Sequence, residues 1–304
     1  MNKTINECLS VGEKILIKRE YNNPKLESRL LLEHILDCDR LYLMMNGNLE
    51  ISDEKYREYE NLLEDRSTGR PIQYILGHQE FMGLDFKLND YVLVPRPDTE
   101  ILVEYVLDWI KVYKLPQKDK IRILDIGTGS GAIILSLAYY VKEMGLNVEA
   151  WSVDVNDRAI DIARENALNF EIEDCVNIVK SDVFEGLKEF RASLEDENGK
   201  IFDIIVSNPP YIPSEVIEGL QKEVRSFEPQ NALDGGVDGL DFYRKITRES
   251  TEWIKCGGLL AYEIGHDQGL SVSELLKNNF ENIEIKKDYG DRDRVVAGVY
   301  RLTK

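Results

Sequence analysis

Apolar residues recur at helical spacing over the first part of the chain, at Ile5, Cys8, Leu9, Ile15 and Leu16, then at Leu26, Leu30, Leu31, Leu32, Ile35 and Leu36. That period predicts amphipathic helices. Pro24 separates the first two, and Ser52-Asp53-Glu54-Lys55 opens a third with a cap-like start that runs through Leu62-Leu63. Residues 1–70 carry neither strand alternation nor a Gly-rich loop, so they read as a small helical bundle. The texture changes over 71–97. Glu80-Phe81 and Leu84-Asp85-Phe86-Lys87-Leu88 flank Met82-Gly83, as a hairpin turn requires. Tyr91-Val92-Leu93-Val94 is another short extended run. Pro95-Arg96-Pro97 then forces a non-helical approach to a helix opening at Asp98-Thr99-Glu100.

From residue 98 onward, strand and helix patterns alternate. Apolar strands are expected at 121–126, 149–153, 176–180, 202–207 and 258–264, with helices between them such as Ala132–Met144 and Asp157–Asn169. This alternation predicts an α/β domain with a parallel sheet and helices on both faces. The end differs. Ile283-Glu284-Ile285 and Arg294–Tyr300, joined by a polar turn around Gly290-Asp291, predict a closing antiparallel hairpin. The stretch 189–200, rich in Glu, Asp, Asn and Gly, reads as a solvated loop. The division is thus a helical domain over 1–70, a hairpin linker over 71–97 and a larger domain over 98–304.

Composition narrows the function classes. The chain has 304 residues, 43% hydrophobic and 31% charged, an ordinary globular balance. No segment approaches a run of about 18 apolar residues. Met1–Glu7 lacks the apolar core of a secretion signal, so the cytoplasm is the expected compartment and no membrane partner is expected. Cys8, Cys38, Cys175 and Cys256 are scattered, with no metal-ligand spacing to each other or to histidine, so no metal is expected. Net charge is −18, which argues against a chain whose main task is gripping duplex DNA. The absence of a coiled-coil pattern leaves a monomer as the default.

The chemistry begins at Asp125-Ile126-Gly127-Thr128-Gly129-Ser130-Gly131-Ala132, a strand end, a Gly-rich turn and a helix start. Glycines there let the backbone turn tightly and a ligand approach closely. Asp154 ends the next strand, about 20 residues on, where a carboxylate suits the two hydroxyls of a ribose. Gly127, Gly129 and Ala132 also satisfy the G-x-G-x-x-A dinucleotide fingerprint, so the loop alone leaves adenosyl-methionine and a dinucleotide both open. Ser181-Asp182-Val183-Phe184 follows the third strand. Asp182 is placed to accept from an exocyclic adenine amine and Val183 to cover the ring; the plain alternative is a turn cap.

The most particular feature is Asn208-Pro209-Pro210-Tyr211, at the end of the apolar run Ile204-Ile205-Val206. An amide, two stiffening prolines and an aromatic ring form a cup for a planar NH2 group. The Asn208 oxygen and the Pro209 carbonyl accept the two N–H bonds, and Tyr211 packs on the flat face. Such an amine is a poor nucleophile because its lone pair is delocalised, so alignment with an electrophilic methyl is what a protein must supply. With this motif and the third glycine, Gly131, the donor reads as the sulfonium of adenosyl-methionine.

These residues carry a resemblance to the peptide-chain-release-factor glutamine methyltransferases, the HemK-type family, over nearly the whole chain. The match takes in the helical N-terminal region, Val94-Pro95-Arg96-Pro97-Asp98-Thr99-Glu100, the glycine loop, Asn208–Tyr211, Glu228-Pro229, Ala232–Gly236, Asp238–Arg244 and Gly290-Asp291-Arg292-Asp293-Arg294. The Asn-Pro-Pro-Tyr motif is shared with DNA adenine methyltransferases; the Pro-Arg-Pro-Asp-Thr-Glu and Asp-Gly-Gly segments are more particular to enzymes acting on protein glutamine. The resemblance implies a class I, Rossmann-like methyltransferase domain. It also implies methylation of the glutamine amide in the Gly-Gly-Gln motif of class 1 release factors, with a helical domain that helps grip the partner. It assigns Gly127, Thr128, Gly129, Ser130, Gly131, Asp154, Val183 and Asn208 to S-adenosyl-L-methionine, which Asp182 joins by the strand-end reading above, and Asn208, Pro209, Pro210 and Tyr211 to the glutamine. Some relatives carry an aromatic residue where this chain has Val183. Pro95–Glu100 is expected to border the crevice, with Pro97 and Glu100 on the substrate side, unless it is only a rigid entry turn. The 228–244 segment reads equally as a structural loop, and Arg292 and Arg294 as solvated turn charges. A ribosomal-protein glutamine methyltransferase, a DNA adenine methyltransferase and a non-catalytic adenosyl-methionine-binding translation partner are the competing readings.

Overall fold

A computed structural model describes residues 3–17, 23–113, 120–194 and 199–301. The chain divides into two compact units, Met1–His78 with Gln221–Phe227, and Gln79–Leu220 with Glu228–Lys304. The first holds helices α1 (Ile5–Ile17), α2 (Pro24–Leu36), α3 (Arg40–Met45), α4 (Asp53–Ser67) and α5 (Ile72–Leu76). Their starts are written locally. Thr4 and Glu7 form a reciprocal capping box on α1, with Thr4 N donating to Glu7 Oε2 at 2.8 Å and Glu7 N to Thr4 Oγ1 at 3.3 Å. Asn23 accepts from Leu26 N at 3.1 Å, and Pro24 occupies the first turn of α2 rather than a break ahead of it. Ser52 caps α4 through Lys55 N at 3.2 Å. The apolar stripes close on Ile5, Leu16, Leu31, Leu32, Tyr59 and Leu63. Arg66 is only 3% exposed, held by a forked pair to Glu27 at 2.8 and 3.0 Å and by Glu223 from the returning segment at 2.5 Å.

A hairpin follows, β1 (His78–Phe81) and β2 (Leu84–Lys87), with all but its first residue, His78, in the second unit. Its two turn residues, Met82 and Gly83, both have positive φ (53° and 73°), the twist that matches paired strands. Tyr91–Val94 is not a strand. Pro95 ends the run, which joins neither sheet among the described residues; Val92 and Val94 are buried while the segment walls a cavity described below. Helix α6 (Pro97–Tyr113) follows, then β3 (Ile121–Ile126), α7 (Ala132–Glu143), β4 (Val148–Asp154), α8 (Asp157–Asn169), β5 (Val176–Lys180), the short α9 (Arg191–Leu194) and β6 (Phe202–Ser207). After α10 (Lys222–Phe227), which belongs to the helical unit, come α11 (Asp241–Ser250), β7 (Ile254–Glu263), α12 (Gly269–Leu276), β8 (Phe280–Lys287) and β9 (Asp293–Tyr300). The expected loop at 189–200 is partly helical: a 3-10 turn, Glu185–Phe190, whose last residue packs on Trp151, leads into α9. Residues 195–198 of that loop, and Met1 and Asn2 of the N-terminal reading, lie outside the described residues.

The sheet order is β5-β4-β3-β6-β7-β9-β8, parallel from β5 to β7 and antiparallel through β9 and β8. Alternate residues of each strand enter two layers. Ile121, Ile123, Ala150, Ile204 and Val206 face α6 and α7, while Leu124, Ile126, Trp151, Val153 and Ile205 join the side chains of α11 and α12. The chain leaves β3 toward β4 on one side and later returns to β6 on the other. The strand order therefore switches between β3 and β6, where open α/β sheets form a ligand crevice.

One buried side chain ties the hairpin to that crevice. Asn166 of α8, fully buried, accepts from Lys87 N at 2.9 Å and donates to Lys87 O at 3.0 Å and to Ser130 O at 2.9 Å. Asn166→Ala removes these three hydrogen bonds and orphans the buried Ser130 carbonyl, and is expected to lower stability by about 1–3 kcal/mol. Urea unfolding of the variant and the wild type checks this; an unchanged midpoint would show that the bridge carries no weight.

Candidate active site

A cavity of about 330 Å³ opens at the carboxyl ends of β3, β4, β5 and β6, a size suited to a small-molecule cofactor. Ile126 of β3 is in register with Ser207 of β6, so the glycine loop and the Asn-Pro-Pro-Tyr turn leave the sheet at the same level. Ser207 Oγ donates to Ile126 O at 2.6 Å and pins the two strand ends together.

The glycine loop is held by its own backbone. Gly127 N and Thr128 N both donate to Val153 O, at 2.9 and 3.0 Å, and Gly131 N donates to Thr128 O at 2.8 Å. Gly127 and Gly129 have φ of 90° and 53° and lie on the cavity wall with Thr128 and Ser130. Gly131 is different. It lies off the wall, and a Cβ there would sit 2.7 Å from a Leu135 methyl and 3.3 Å from Ala163 Cβ, so its smallness serves helix packing. Asp154 is on the wall. Its Oδ2 accepts from Gly129 N at 3.0 Å and its Oδ1 from Asn156 N at 2.9 Å, which aims the carboxylate and leaves lone pairs for further donors.

Asp182 and Val183 line the same cavity. The Asp182 side chain does not cap the turn behind it; Oδ1 pairs with Lys245 Nζ at 2.7 Å. Val183 is 5% exposed and has φ of 55°, a left-handed conformation that is unfavourable for a β-branched residue. Ser181 holds it there, donating to Val183 O at 2.8 Å while accepting from Gly186 N at 2.8 Å. Backbone strain fixed in this way is characteristic of ligand clamps.

Asn208, Pro209 and Pro210 line the cavity across from the glycine loop, whereas Tyr211 does not. The Tyr211 ring packs with the apolar layer under α11, and its carbonyl accepts from Gln268 Nε2 at 3.0 Å. Burial, with Glu263 nearby, raises the phenol's pKa, so Tyr211 stays neutral. Behind the turn, Ile212 and Asp234 form a bridge, with Ile212 N donating to Leu233 O at 3.0 Å and Gly235 N to Ile212 O at 2.9 Å. A Cβ on Gly235 would lie 2.7 Å from Tyr211 Cα, and one on Gly239 would lie 2.3 Å from Tyr211 O. The 228–244 segment is thus a backbone-to-backbone buttress for the motif. It also contributes Asn231, Ala232 and Phe242 to the cavity wall.

Pro97 and Glu100 lie apart from this cavity. They line a neighbouring depression of about 270 Å³ with Asp98, Ile101, Asp288, Tyr289, Gly290 and Arg292, and Glu100 Oε1 accepts from Met82 N at 2.7 Å. The residues of that segment that do face the main cavity are Pro95, Arg96 and Thr99, with Arg96 paired to the buried Glu228. Arg294 is not a solvated turn charge. It is 7% exposed and reaches Asp98 and Asp288, each at 3.1 Å, and Ile264 O at 3.3 Å.

Thr99, inside the Pro95–Glu100 segment, touches Asn208, and Glu263, which the sequence reading passed over, follows the register partner of Ser207. Asn208 Nδ2 lies 3.4 Å from Thr99 Oγ1, and the Thr99 hydroxyl is one of the groups that pull the Glu263 pKa down. Glu263 is 2% exposed at the end of β7. Its local signal is a lone acid closing the apolar run Leu259–Tyr262. Burial pushes its carboxyl up to about 7, against the opposing pull of the Thr99 hydrogen bond and Arg294. Asp125 is a second buried acid. It is fully buried at the end of β3, accepts from Ser152 Oγ at 3.2 Å, and is pushed up to about 8 by burial.

A carboxyl whose folded pKa is raised contributes its stability in full below the unfolded value, and that contribution is lost as pH rises through the folded value. Between about pH 4 and pH 8, Asp125 therefore makes the wild type progressively less stable. Asp125→Asn keeps the shape without the proton and is expected to flatten that slope, as thermal unfolding across the range will read. An unchanged slope would contradict a neutral, buried Asp125.

The chain matches the model described as "PrmC N-terminal domain" over residues 7–77 and the model described as "Methyltransferase domain" over residues 117–284. It is 43% identical to the "Release factor glutamine methyltransferase" of Clostridium acetobutylicum, covering 90% of each chain, and 39% identical to that of Clostridium botulinum, covering 96% of this chain and 98% of the relative. Among solved structures, the hMettl16 catalytic domain resembles it with a TM-score of 0.54 at 15% identity, over 88% of this chain and 93% of that one. The human methyltransferase 10 domain containing protein gives 0.50 at 18% identity, over 73% and 90%. Those two likenesses speak to the methyltransferase fold. Through its relatives, the chain belongs to the release factor glutamine methyltransferases.

Proposed function

We propose that this enzyme transfers a methyl group from S-adenosyl-L-methionine to the side-chain amide nitrogen of the glutamine in the Gly-Gly-Gln motif of class 1 release factors. The observation that carries the reading is the single cavity whose opposite walls are the glycine loop with Asp154 and the Asn208-Pro209-Pro210 turn. The residues fit the cofactor: positive-φ glycines leave room for close approach, and the Asp154 carboxylate is aimed by Gly129 N and Asn156 N for ribose hydroxyls. Asp182 and the strained Val183 suit an adenine edge and face. The bound cofactor supplies an activated sulfonium methyl and its own leaving group.

The rest of the work falls to alignment. Asn208 Oδ1 and Pro209 O accept the two amide N–H bonds of the substrate glutamine and hold its nitrogen toward the donor side of the cavity. Both contacts strengthen as positive charge develops on that nitrogen, so they favour the transition state over the bound substrate. Tyr211 acts from behind the motif, as a neutral packing residue, together with the Gly235 and Gly239 buttress. The methylated nitrogen is strongly acidic and sheds its proton readily, so no strong general base is needed.

We assign recognition of the protein partner to the helical unit. On it, Leu41, Met44 and Met45 of α3 are 62, 69 and 76% exposed, an apolar group without an internal role. The net charge of −18 suits a protein acceptor better than duplex DNA. We read the enzyme as a cytoplasmic monomer; among the described residues no helix is long and apolar enough to cross a membrane.

Asn208→Ala is expected to bind the cofactor within a few-fold of wild type and to lose about 100- to 1,000-fold in kcat, the usual effect of removing one such preorganised contact. Calorimetric binding and turnover on release factor separate the two. A variant with wild-type turnover would refute the amide cup, and a release factor with its motif glutamine changed to alanine that still takes label would refute the acceptor. Met44→Glu with Met45→Glu is expected to raise KM for release factor about tenfold with kcat little changed, since a lost contact of about 1.4 kcal/mol is tenfold in affinity. An unchanged KM would remove α3 from the recognition surface.

A further inference from the structure

Glu263 stands outside the residues assigned so far, and its surroundings are unusual. It closes β7, it is 2% exposed, and its Oε2 has no hydrogen-bond partner among the described residues. A buried acid with one orphaned oxygen is costly unless it serves another group. Ser207 is in register with Tyr262, so Glu263 and Asn208 leave adjacent strands at the same level; the Thr99 hydroxyl, which lowers the Glu263 pKa, stands 3.4 Å from Asn208 Nδ2.

We propose that Glu263 is a positioning residue for methyl transfer: acting through the Thr99 hydroxyl, it holds the Asn208 amide in the orientation that presents its oxygen to the substrate nitrogen. The inference rests on the function proposed above. A carboxylate only accepts, a hydroxyl has a single proton, and an amide end is either oxygen or NH2. When Glu263 is ionised it takes the Thr99 proton. Thr99 Oγ1 is then left as an acceptor, and only the NH2 end of Asn208 can face it. The Asn208 oxygen must therefore point the other way, where it is needed to receive an N–H of the glutamine. Without Glu263, the Thr99 proton is free to turn to Asn208 Oδ1, and the amide can flip its NH2 toward an amine that has only hydrogens to offer.

The charged and titratable groups around this carboxyl come from four elements. Arg294 arrives from β9, Arg96 and Asp98 from the turn into α6, Tyr211 from the motif itself, and Tyr243 from α11, whose hydroxyl donates to Glu263 O at 2.9 Å. The two guanidiniums favour the ionised form while burial and Asp98 oppose it, so the balance falls at about 7. A protonated Glu263 can donate to Thr99 and reverse the chain. Turnover by the wild type should accordingly fall as pH drops through that region.

The test uses the full-length enzyme with release factor and adenosyl-methionine, measuring kcat, both KM values and thermal unfolding for wild type, Glu263→Gln, Thr99→Val, the double variant and Thr99→Ser. We expect Glu263→Gln and Thr99→Val each to lower kcat about tenfold or more, with both KM values within about threefold, because a misplaced contact costs rate rather than binding. The double variant should lose no more than the worse single one, Thr99→Ser should recover most of the rate, and Glu263→Gln should lose the acid limb of the kcat profile. Wild-type kcat in Thr99→Val, or an acid limb that persists in Glu263→Gln, would overturn the positioning role. If Glu263→Gln does not fold, the Thr99→Val and Thr99→Ser pair still decides, since loss in the first and recovery in the second requires the hydroxyl. A wild type that methylates no release factor would instead overturn the proposed function, so the two failures are distinguishable.

Discussion

The whole account depends on the adjacency of two parallel strand ends. Ile126 and Ser207 stand side by side at the point where the strand order switches, tied by a 2.6 Å hydrogen bond from Ser207 Oγ to Ile126 O. Everything that follows in the chain from those two positions is forced into one crevice. The glycine loop leaves β3 on one wall and the Asn-Pro-Pro turn leaves β6 on the other, so a donor and an acceptor meet without either element having to move far. A reaction limited by alignment needs that arrangement more than it needs acids or bases.

Around this pair, the protein uses backbone contacts where precision is needed. The glycine loop hangs from Val153 O through two amides. The Pro-Pro-Tyr turn rests on Gly235 and Gly239, where any side chain would collide with the Tyr211 backbone. Such contacts are short and hold the reacting groups more tightly than flexible side chains would. Buried acids are placed nearby: Asp125 behind the glycine loop and Glu263 behind Asn208. Their raised pKa values are a consequence of that burial.

Much of this was legible in the sequence because it is local. Alternating apolar runs and helical stripes mark the sheet, its helices and the closing hairpin, and the glycine loop and Asn208–Tyr211 announce their own turns. What the sequence hid depends on which distant segments meet. Tyr91–Val94 has the composition of a strand, but only the fold reveals that it joins neither sheet among the described residues and that it walls the cavity. Pro97 and Glu100 fall on the far side of their turn, while Thr99, between them, reaches Asn208. Gly131 looks like a ligand glycine, yet it lies off the cavity wall and against Leu135 and Ala163. Glu263, 55 residues beyond Asn208, comes beside it through the β6–β7 pairing, while Tyr211 packs into the core rather than toward the cavity.

The central claim is that this crevice presents a protein glutamine amide to a sulfonium methyl. Its most direct test is site-resolved mass spectrometry of a class 1 release factor after incubation with the enzyme and adenosyl-methionine. The account predicts one added methyl, located on the side-chain nitrogen of the glutamine in the Gly-Gly-Gln motif. A methyl on any other residue, or an unmodified release factor, would contradict it.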